Sequence, residues 1–393
     1  MENAEPTGDV TTDFDHLLRA AQGGDAKAQA NVADCFCLGN GVSKDPTAAV
    51  HWYQKSTDQG YAYAQTELAW IYEGGCLGIA QDEIRAVELY QKAVSQGYAE
   101  AQFNLGNCYW RGHGVPQDKK TACALYTKAA AQNHLMAICL VGECYYRGEG
   151  MTKSKGGSKT YFIRGANKGH APAQYALGRC YQVEGKVGEA LKYYKDAADQ
   201  GYVDAQLALA ICFLEGIGTT IDLVQATNWM QKAAAQGEEH AQYILAVWFM
   251  EGSEVLEKDL PLAVQWFEKA ATIGLSAAQN VLGNCYKLGF GVLADAKTSA
   301  NWFKKAVAQG DFDAIQELVI CYTHGFGVPQ DVVEAARLST LSRVSSKPIK
   351  QRRTTPKQQA RSNTTDNIDR PTEDRMGDSI ILNSVVWQGG SAS

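Results

Sequence analysis

The sequence predicts an all-α fold, a right-handed α/α superhelical solenoid of about nine helix–turn–helix repeats. Similar segments, such as Ala101–Lys120 and Ala278–Lys297, recur every 36 or 37 residues, with one shorter interval of 32. Each copy contains two stretches of helical periodicity separated by glycines. A fixed period of this length is typical of stacked supersecondary units, in which each repeat buries its faces against its neighbours.

The first helix of each repeat, helix A, is recognised by an anchor residue that follows an alanine. The anchors are Gln29, Gln65, Gln102, Ile138, Gln174, Gln206, Gln242, Gln279 and Ile315. Counted from the anchor, positions −1, +3, +4, +7 and +10 share one helical face. Small residues at −1 and +4 and Phe or Tyr at +7 predict that this face packs against other helices. Glycine at +10 predicts the end of helix A.

The second helix, helix B, carries Ala or Ser at one repeated position, a bulky residue three places later and a Gln-Gly stop such as Gln96-Gly97. Residues 14–24 match a helix B and predict a helix that caps the array. We therefore predict a disordered N-terminus at 1–13, a solenoid at 14–342 with nine repeats over 25–342, and a disordered tail at 343–393. The glycine-containing stretch Lys153–Lys159 is expected to be an exposed loop.

Seven of the eleven cysteines occupy one repeat position, six after the anchor. Ile71 and Trp248 occupy the same position in the two other repeats, which indicates apolar packing. One cysteine per repeat provides no close pairs, so we predict reduced thiols in a reducing, cytoplasmic compartment. A nuclear location, or translocation into a host cell without a cleavable signal, is the alternative. The sequence shows neither a secretory signal nor an apolar run long enough for a membrane helix.

Catalytic motifs are absent from the sequence. The Gly-x-Gly elements recur in the repeat loops, no phosphate-binding loop is present, and the seven histidines are scattered without metal-binding spacing. A catalytic site needs one specific set of residues, whereas packing needs the same residue in every repeat. We therefore predict a non-catalytic protein without cofactor or metal.

The repeated pattern A-Q-x-x-L-G-x-x-Y-x-x-G-x-G-V-x-x-D-x-x-K-A-x-x-W-Y-x-K-A-A-x-Q-G resembles that of Sel-one-like repeat (SLR) proteins, relatives of tetratricopeptide repeats. Asn104–Gly114 and Trp302–Gly310 match it closely. The resemblance covers roughly residues 14–340. Repeat five, Gln174–Tyr202, departs from it because it has lost the long loop.

This resemblance implies a scaffold or adaptor that binds a partner peptide or domain on the concave face formed by the A helices. Two alternatives are a regulatory subunit and a secreted bacterial effector that acts on host proteins. A third, binding of β-lactams, is known from a secreted branch with paired cysteines in each repeat, a pairing that this sequence lacks.

Positions +1, +5 and +8 of helix A lie beside the packing face and vary between repeats. Constant positions hold a repeat fold, whereas variable ones are free to recognise a ligand, and aromatic residues and arginine are enriched at binding hot spots. We call the residues at these three positions the predicted stripe. The alternative is that some of them pack against adjacent hairpins. The predicted partner-binding residues are Trp70, Glu73, Phe103, Asn107, Trp110, Tyr146, Tyr175, Arg179, Leu214, Tyr243 and Met250.

Charge is distributed unevenly along the chain. Residues 343–361 contain seven basic residues and no acidic one, whereas residues 1–342 carry a net charge of −10. An acidic array does not suit nucleic acid, which requires a basic face. We expect other proteins as partners. The basic segment is interpreted first as a solvated linker, and the alternatives are a nuclear import signal, a membrane-surface contact or a nucleic-acid tether. A sharper hypothesis is that it docks on the acidic array in competition with partners.

Overall fold

The computed structural model describes residues 10–345, with side chains from 14 to 341. This part of the chain consists of helices and contains no strand. The helices are α1 (Val10–Gln22), α2 (Ala26–Leu38), α3 (Pro46–Asp58), α4 (Ala62–Gly74), α5 (Glu83–Ser95), α6 (Ala99–Arg111), α7 (Lys119–Ala131), α8 (Leu135–Arg147), α9 (Lys155–Ala166), α10 (Ala171–Val183), α11 (Val187–Asp199), α12 (Val203–Glu215), α13 (Leu223–Ala235), α14 (Glu239–Glu251), α15 (Leu260–Ile273), α16 (Ser276–Leu288), α17 (Ala296–Ala308), α18 (Phe312–His324) and α19 (Val332–Ser345).

The helices form successive hairpins, as an α/α solenoid requires. Even-numbered helices are the A helices, and each odd-numbered helix that follows is the B helix of the same repeat. Within each unit, apart from α10, helix A packs on its own helix B, and helix B packs on the next helix A. The chain forms two compact units that divide between Cys180 and Tyr181, within α10. The division therefore falls in the repeat that lacks the long loop.

The small residues of the predicted packing face of helix A are buried, whereas the aromatic residue at +7 is half-buried in eight of the nine repeats. The alanine at −1 is less than one-tenth exposed in all nine repeats, and position +4 is glycine or alanine wherever a large ring from helix B lies against it. A Cβ atom added to Gly106 would lie 2.6 Å from Cε1 of Tyr126. The largest fully buried side chains thus come from helix B, for example Tyr90, Tyr126 and Phe303. Close packing of small on large residues explains the repeated pattern.

Pairs of glutamines, one buried at the anchor and one exposed at the end of helix B, connect consecutive hairpins. In repeat three, the side-chain amide of Gln132 donates to Oε1 of Gln102 at 3.0 Å and to the carbonyl oxygen of Gly97 at 2.8 Å. The same arrangement recurs where Gln309 donates to Gln279 and to the carbonyl of Gly274. The anchor glutamine and the glutamine that ends helix B therefore bond to each other, and the latter also satisfies a carbonyl oxygen of the preceding turn.

The loop after each helix A also bonds to the preceding repeat. Gly112 ends α6 in the left-handed region at φ 81°. Gly114 follows at φ 67°, and its N–H donates to Oε2 of Glu83 at 2.9 Å. A Cβ atom on Gly114 would lie only 2.3 Å from the carbonyl oxygen of Glu83. The second glycine thus permits the loop to approach the first turn of the preceding helix B.

The expectation of an exposed loop at Lys153–Lys159 is wrong for most of that stretch. Helix α9 begins at Lys155, because Oγ of Ser154 accepts the N–H of Gly157 at 3.0 Å. Serine here replaces the aspartate that caps most other B helices, including Asp118 and Asp295. An N-cap of this kind stabilises a helix start by about 1 kcal/mol, enough to offset one glycine in the first turn.

The ends of the array differ from the predicted boundaries. Helix α1 begins at Val10, so Val10–Asp13 are helical although 1–13 was predicted to be disordered, and α19 continues to Ser345, beyond the predicted end at 342. Helix ends depend on local capping, which periodicity locates only within a few residues. Most of the predicted tail, residues 346–393, lies outside the described residues. Among the helices of the described part, none combines the length and apolar character needed to cross a membrane.

Candidate partner-binding surface

Two polar residues of the predicted stripe are held by tyrosines of their own repeat. The hydroxyl of Tyr90 donates to Glu73 at 2.8 Å, and that of Tyr126 donates to Asn107 at 2.8 Å. Burial and the neighbouring carboxylate raise the pKa of Tyr90, so this hydroxyl stays protonated and remains a donor. Glu73 and Asn107 thereby satisfy buried hydroxyl groups.

Aromatic members of the stripe in repeat three are half-buried. The ring of Phe103 stacks on that of His134, with centroids 4.6 Å apart, and Trp110 lies 6.3 Å from Tyr126. Nζ of Lys119 lies 4.9 Å from the Trp110 ring centroid. Both Phe103 and Trp110 contact the apolar core of repeats three and four, so each combines a packing contact with a partly accessible surface.

The remaining stripe residues of the first unit differ strongly in exposure. Trp70 is 56% exposed and is the most accessible aromatic residue of that unit within the described chain. Tyr146 and Tyr175 are half-buried, with the Arg179 guanidinium 5.7 Å and 5.9 Å from their ring centroids. These cation–π distances bring the three side chains together as one cluster.

In the second unit, the stripe residues lie closer to the core. Tyr243 packs edge-to-face on Phe267 at a centroid distance of 5.6 Å, and Met250 contacts the same apolar cluster. Leu214 is half-buried at the end of α12. The structure thus distributes the predicted residues over both units, with the most accessible aromatic side chain in repeat two.

The structure also brings together three acidic residues that the stripe did not include. Asp34 accepts hydrogen bonds from the hydroxyls of Tyr53 and Tyr63, the latter at 2.9 Å. Glu67 lies near Asp34 and Glu100, and both carboxylates act on its ionisation. Desolvation is the first cause of the change and the two acidic neighbours are the next, and together they raise the pKa of Glu67 to about 7. This carboxyl group is therefore poised to ionise near neutral pH.

Glu100 is oriented by a histidine of the next repeat. Nε2 of His134 lies 2.9 Å from Oε2 of Glu100, while Nδ1 of the same ring accepts the N–H of Ala137 at 3.1 Å. Because Nδ1 is the acceptor, the proton lies on Nε2 and points to Glu100. His134 also carries the Phe103 ring on its face, so the acidic and aromatic groups form one connected arrangement.

We define the acidic–aromatic surface by Asp34, Glu67, Trp70, Glu100 and Phe103. Glu67 and Trp70 are three residues apart on α4, and Glu100 and Phe103 are three apart on α6, so each pair shares a helix face. The three acids are spaced by 33 residues. That interval is shorter than the repeat by about one helical turn, so each acid lies one turn earlier on the next A helix.

The sequence held a signal for this surface. At 100° per residue, positions −2, +2 and +5 of helix A are opposite the packing face, whereas +8 lies near its edge. The predicted stripe included position +8, which lies close to helix B, and omitted positions −2 and +2. Glu67 at +2 and Glu100 at −2 lie on this opposite side of helix A, where both are half-buried.

One further group of polar side chains lies in the described part of the second unit. Glu238, Glu239 and His240 place possible ligand atoms within 4.8 Å of one another. The buried carboxylate of Glu238 accepts the N–H of Ala241 at 2.6 Å and caps α14. Its equivalents in other repeats, such as Asp25 and Asp311, have the same capping role, so this position serves the start of helix A.

Comparison with known families matches the repeats to the family described as Sel1 repeat. The matched residues are 26–61, 62–98, 99–134, 135–170, 171–202, 203–238, 239–275, 276–311 and 320–342. No curated protein matches the chain.

Among solved structures, a Sel1 repeat protein from Oxalobacter formigenes is 28% identical. The alignment covers 81% of this chain and 96% of that one, with a TM-score of 0.62. A protective antigen with an SLR fold from uropathogenic Escherichia coli is 25% identical over 89% of this chain and 92% of its own, with a TM-score of 0.46. An immunity protein from Pseudomonas aeruginosa is 22% identical over 60% and 84%, with a TM-score of 0.37.

Proposed function

Because this chain belongs to the Sel1 repeat family, whose members generally mediate protein–protein interaction and are typically non-catalytic, we propose that it is a scaffold that binds a basic, extended segment of a partner protein. The binding site is the acidic–aromatic surface. The observation that carries the proposal is the alignment of Asp34, Glu67 and Glu100 on three consecutive A helices, with aromatic side chains one turn away.

Charge supports a basic ligand. Desolvation is the main reason for the raised pKa of Glu67, and repulsion from the carboxylates of Asp34 and Glu100 adds to it; a lysine or arginine would relieve that repulsion. The same surface repels phosphate groups, so nucleic acid is a poor candidate.

Aromatic side chains add affinity and selectivity for the same ligand. The exposed indole of Trp70 offers a face for a cation or for the methylene groups of lysine and arginine. Phe103 is fixed by its stack on His134 and loses little side-chain freedom on binding. The other residues of the predicted stripe, from Trp110 to Met250, stay predicted as additional contacts of a longer partner.

A binding titration with a defined probe tests this function. The probe is a labelled peptide with the sequence of residues 343–361, which carries seven basic residues and no acidic one. We expect Glu67→Gln and Glu100→Gln each to weaken binding about three- to tenfold, as loss of a partly buried charge pair costs about 0.7–1.4 kcal/mol. Glu88→Gln is the matched control, because Glu88 is exposed on helix B of the same repeat as Glu67.

The pH profile gives an independent signature. Binding of a cation favours the ionised form of Glu67, so affinity for the basic probe should rise between pH 6 and 8, around the pKa of about 7. Glu67→Gln should flatten this rise. Equal weakening by Glu88→Gln and Glu67→Gln would contradict a local site and indicate attraction by overall charge alone.

Docking of the chain's own basic segment belongs to the same proposal. Its residues after Ser345 lie outside the described part, and the segment supplies the chemistry that the surface requires. Removal of residues 346–393 leaves α19 whole, and it should raise affinity for the probe at low salt if the tail competes. Unchanged affinity would exclude such competition without affecting the proposed partner site.

A further inference from the structure

Two cysteines from different repeats lie unusually close together, so the expectation that the cysteines form no close pairs is wrong at this position. Sγ of Cys123 on α7 is 2.8 Å from Sγ of Cys144 on α8, and both side chains are almost fully buried, at 1% and 2% exposure. A disulfide bond joins its sulfurs at about 2.05 Å, so a small side-chain rotation brings these two atoms to bonding distance.

Comparison of the repeats explains why a cysteine pair forms at only one of the equivalent positions in the nine repeats. The cysteine at +6 of helix A faces a residue 21 positions earlier on the preceding helix B. That residue is Val87 opposite Cys108 and Val264 opposite Cys285, and each of these pairs shares one apolar cluster. Cys123 is the only cysteine at the helix B position in the nine repeats, and it therefore supplies a second sulfur.

We propose that Cys123 and Cys144 are a site of reversible oxidation, at which a low-molecular-weight disulfide such as oxidised glutathione forms a cystine that locks repeat three to repeat four. This inference is independent of the partner-binding surface.

The reaction is a thiol–disulfide exchange in two steps. The Cys123 thiolate attacks one sulfur of oxidised glutathione, which breaks the reagent's sulfur–sulfur bond and releases one glutathione thiolate. Cys144, after loss of its proton to solvent, then attacks Sγ of Cys123 and releases the second glutathione thiolate. The two cysteine sulfurs together lose two electrons, and the reagent gains them.

The surroundings favour Cys123 as the first nucleophile. Hydrogen bonding with Cys144 lowers the pKa of the Cys123 thiol, and Lys119 acts in the same direction, against the opposing effects of burial and of the Glu149 carboxylate. Nζ of Lys119 is held at 3.1 Å from Glu149, the residue whose carbonyl oxygen lies 3.3 Å from Sγ of Cys123. The adjacent loop covers the pair, since a Cβ atom on Gly150 would lie 2.6 Å from Sγ of Cys123, so oxidant reaches the sulfurs when this loop moves aside.

Cross-linking has a defined structural consequence. The bond would connect α7 to α8, which belong to consecutive repeats, across a separation of 21 residues. A cross-link of this length restricts the unfolded chain and opposes opening of the junction between the two repeats. Oxidation should therefore raise Tm, and a reductant should reverse the change.

Peptide mapping of the full chain tests the proposal. The protein is incubated with oxidised glutathione, denatured, alkylated and digested. We expect a peptide that joins Cys123 to Cys144, a mass lower by two hydrogen atoms, and alkylation of nine rather than eleven cysteines. Alkylation of both thiols after oxidation would overturn the proposal. So would a glutathione adduct on Cys123 that does not proceed to the cross-link.

Matched variants separate the pair from general thiol oxidation. Cys123→Val introduces the residue that stands opposite the cysteine in repeats two and seven, so the fold is expected to tolerate it. This variant should keep all its remaining thiols alkylatable after oxidation and lose the oxidation-dependent rise in Tm. Cys139→Ala, at another buried cysteine of α8, should retain both effects. An oxidation-dependent rise in Tm that persists in Cys123→Val would refute the proposed cross-link between repeats three and four.

Discussion

The two loop glycines of repeat three allow backbone strain to be separated from steric exclusion. Gly112 and Gly114 both have positive φ, at 81° and 67°. A Cβ atom on Gly112 would find its nearest neighbours at 3.4 Å, an ordinary contact with Gln117, whereas one on Gly114 would lie 2.3 Å from the Glu83 carbonyl oxygen. A side chain at Gly112 therefore costs only the free energy of a strained backbone conformation. A side chain at Gly114 has the same cost and also forces two repeats apart.

We expect Gly112→Ala to lower the free energy of unfolding by about 1–2 kcal/mol, the penalty of a left-handed conformation. Gly114→Ala should lower it by about 2–5 kcal/mol, because an overpacked contact of about 1–3 kcal/mol adds to the same penalty. The substitution also displaces the Gly114 N–H from Glu83, a contact of 2.9 Å between the loop and the preceding helix B.

Urea denaturation followed by far-ultraviolet circular dichroism measures the difference, with amide hydrogen exchange to locate it. Exchange should increase in α5 and α6 for Gly114→Ala. A repeat array can unfold in parts, so the slope of each transition must be compared before the midpoints are converted to free energies. Equal destabilisation by both variants would refute the reasoning, since it would mean that the loop does not need its close approach to Glu83.

Three further predictions concern polar groups. The pKa of Glu67 is about 7 in the folded state against an ordinary value of 4.5, so the folded protein binds more protons between these values and its unfolding free energy falls as pH rises through them. Glu67→Gln should remove this fall and stabilise the protein at pH 8 by about 1 kcal/mol after solvent screening, with no gain at pH 4, as thermal denaturation at both pH values would show. Ser154→Ala should cost about 1 kcal/mol and increase hydrogen exchange in the first turn of α9, whereas unchanged exchange would indicate that the cap is dispensable. Tyr126→Phe should lower the free energy of unfolding by about 0.5–1.5 kcal/mol, because it removes the hydrogen bond to Asn107. In a double-mutant cycle, the combined variant with Asn107→Ala should lose no more stability than the two single changes together.

Some features of the binding surface were within reach of sequence reasoning. Where helix B carries a buried tyrosine, helix A supplies a polar partner at +5 or +8, as Asn107 does for Tyr126 and Gln182 does for Tyr194. Where the buried residue is Phe267, helix A has Val247 and Met250 instead. The tyrosine pairs identify polar residues that serve the core, but the reverse does not hold, because Asn284 and Lys287 accompany Phe303.

The sequence by itself determined the repeat, its two helices and the buried face of helix A. These follow from two periods, the helical turn of 3.6 residues and the repeat of 36 or 37 residues, which together fix which side chains meet inside each hairpin. The alanines at −1 and the glycines that end helix A were predicted on this basis and are found there.

Only the tertiary structure decided which side chains of different repeats meet. The approach of Glu67 to Asp34 and Glu100, and that of Cys123 to Cys144, depends on the offset between neighbouring helices. That offset results from the packing of rings on small residues across many contacts, each too weak to be read from one position. A periodic pattern specifies the face of a helix, whereas the distance between two faces is a property of the packed array.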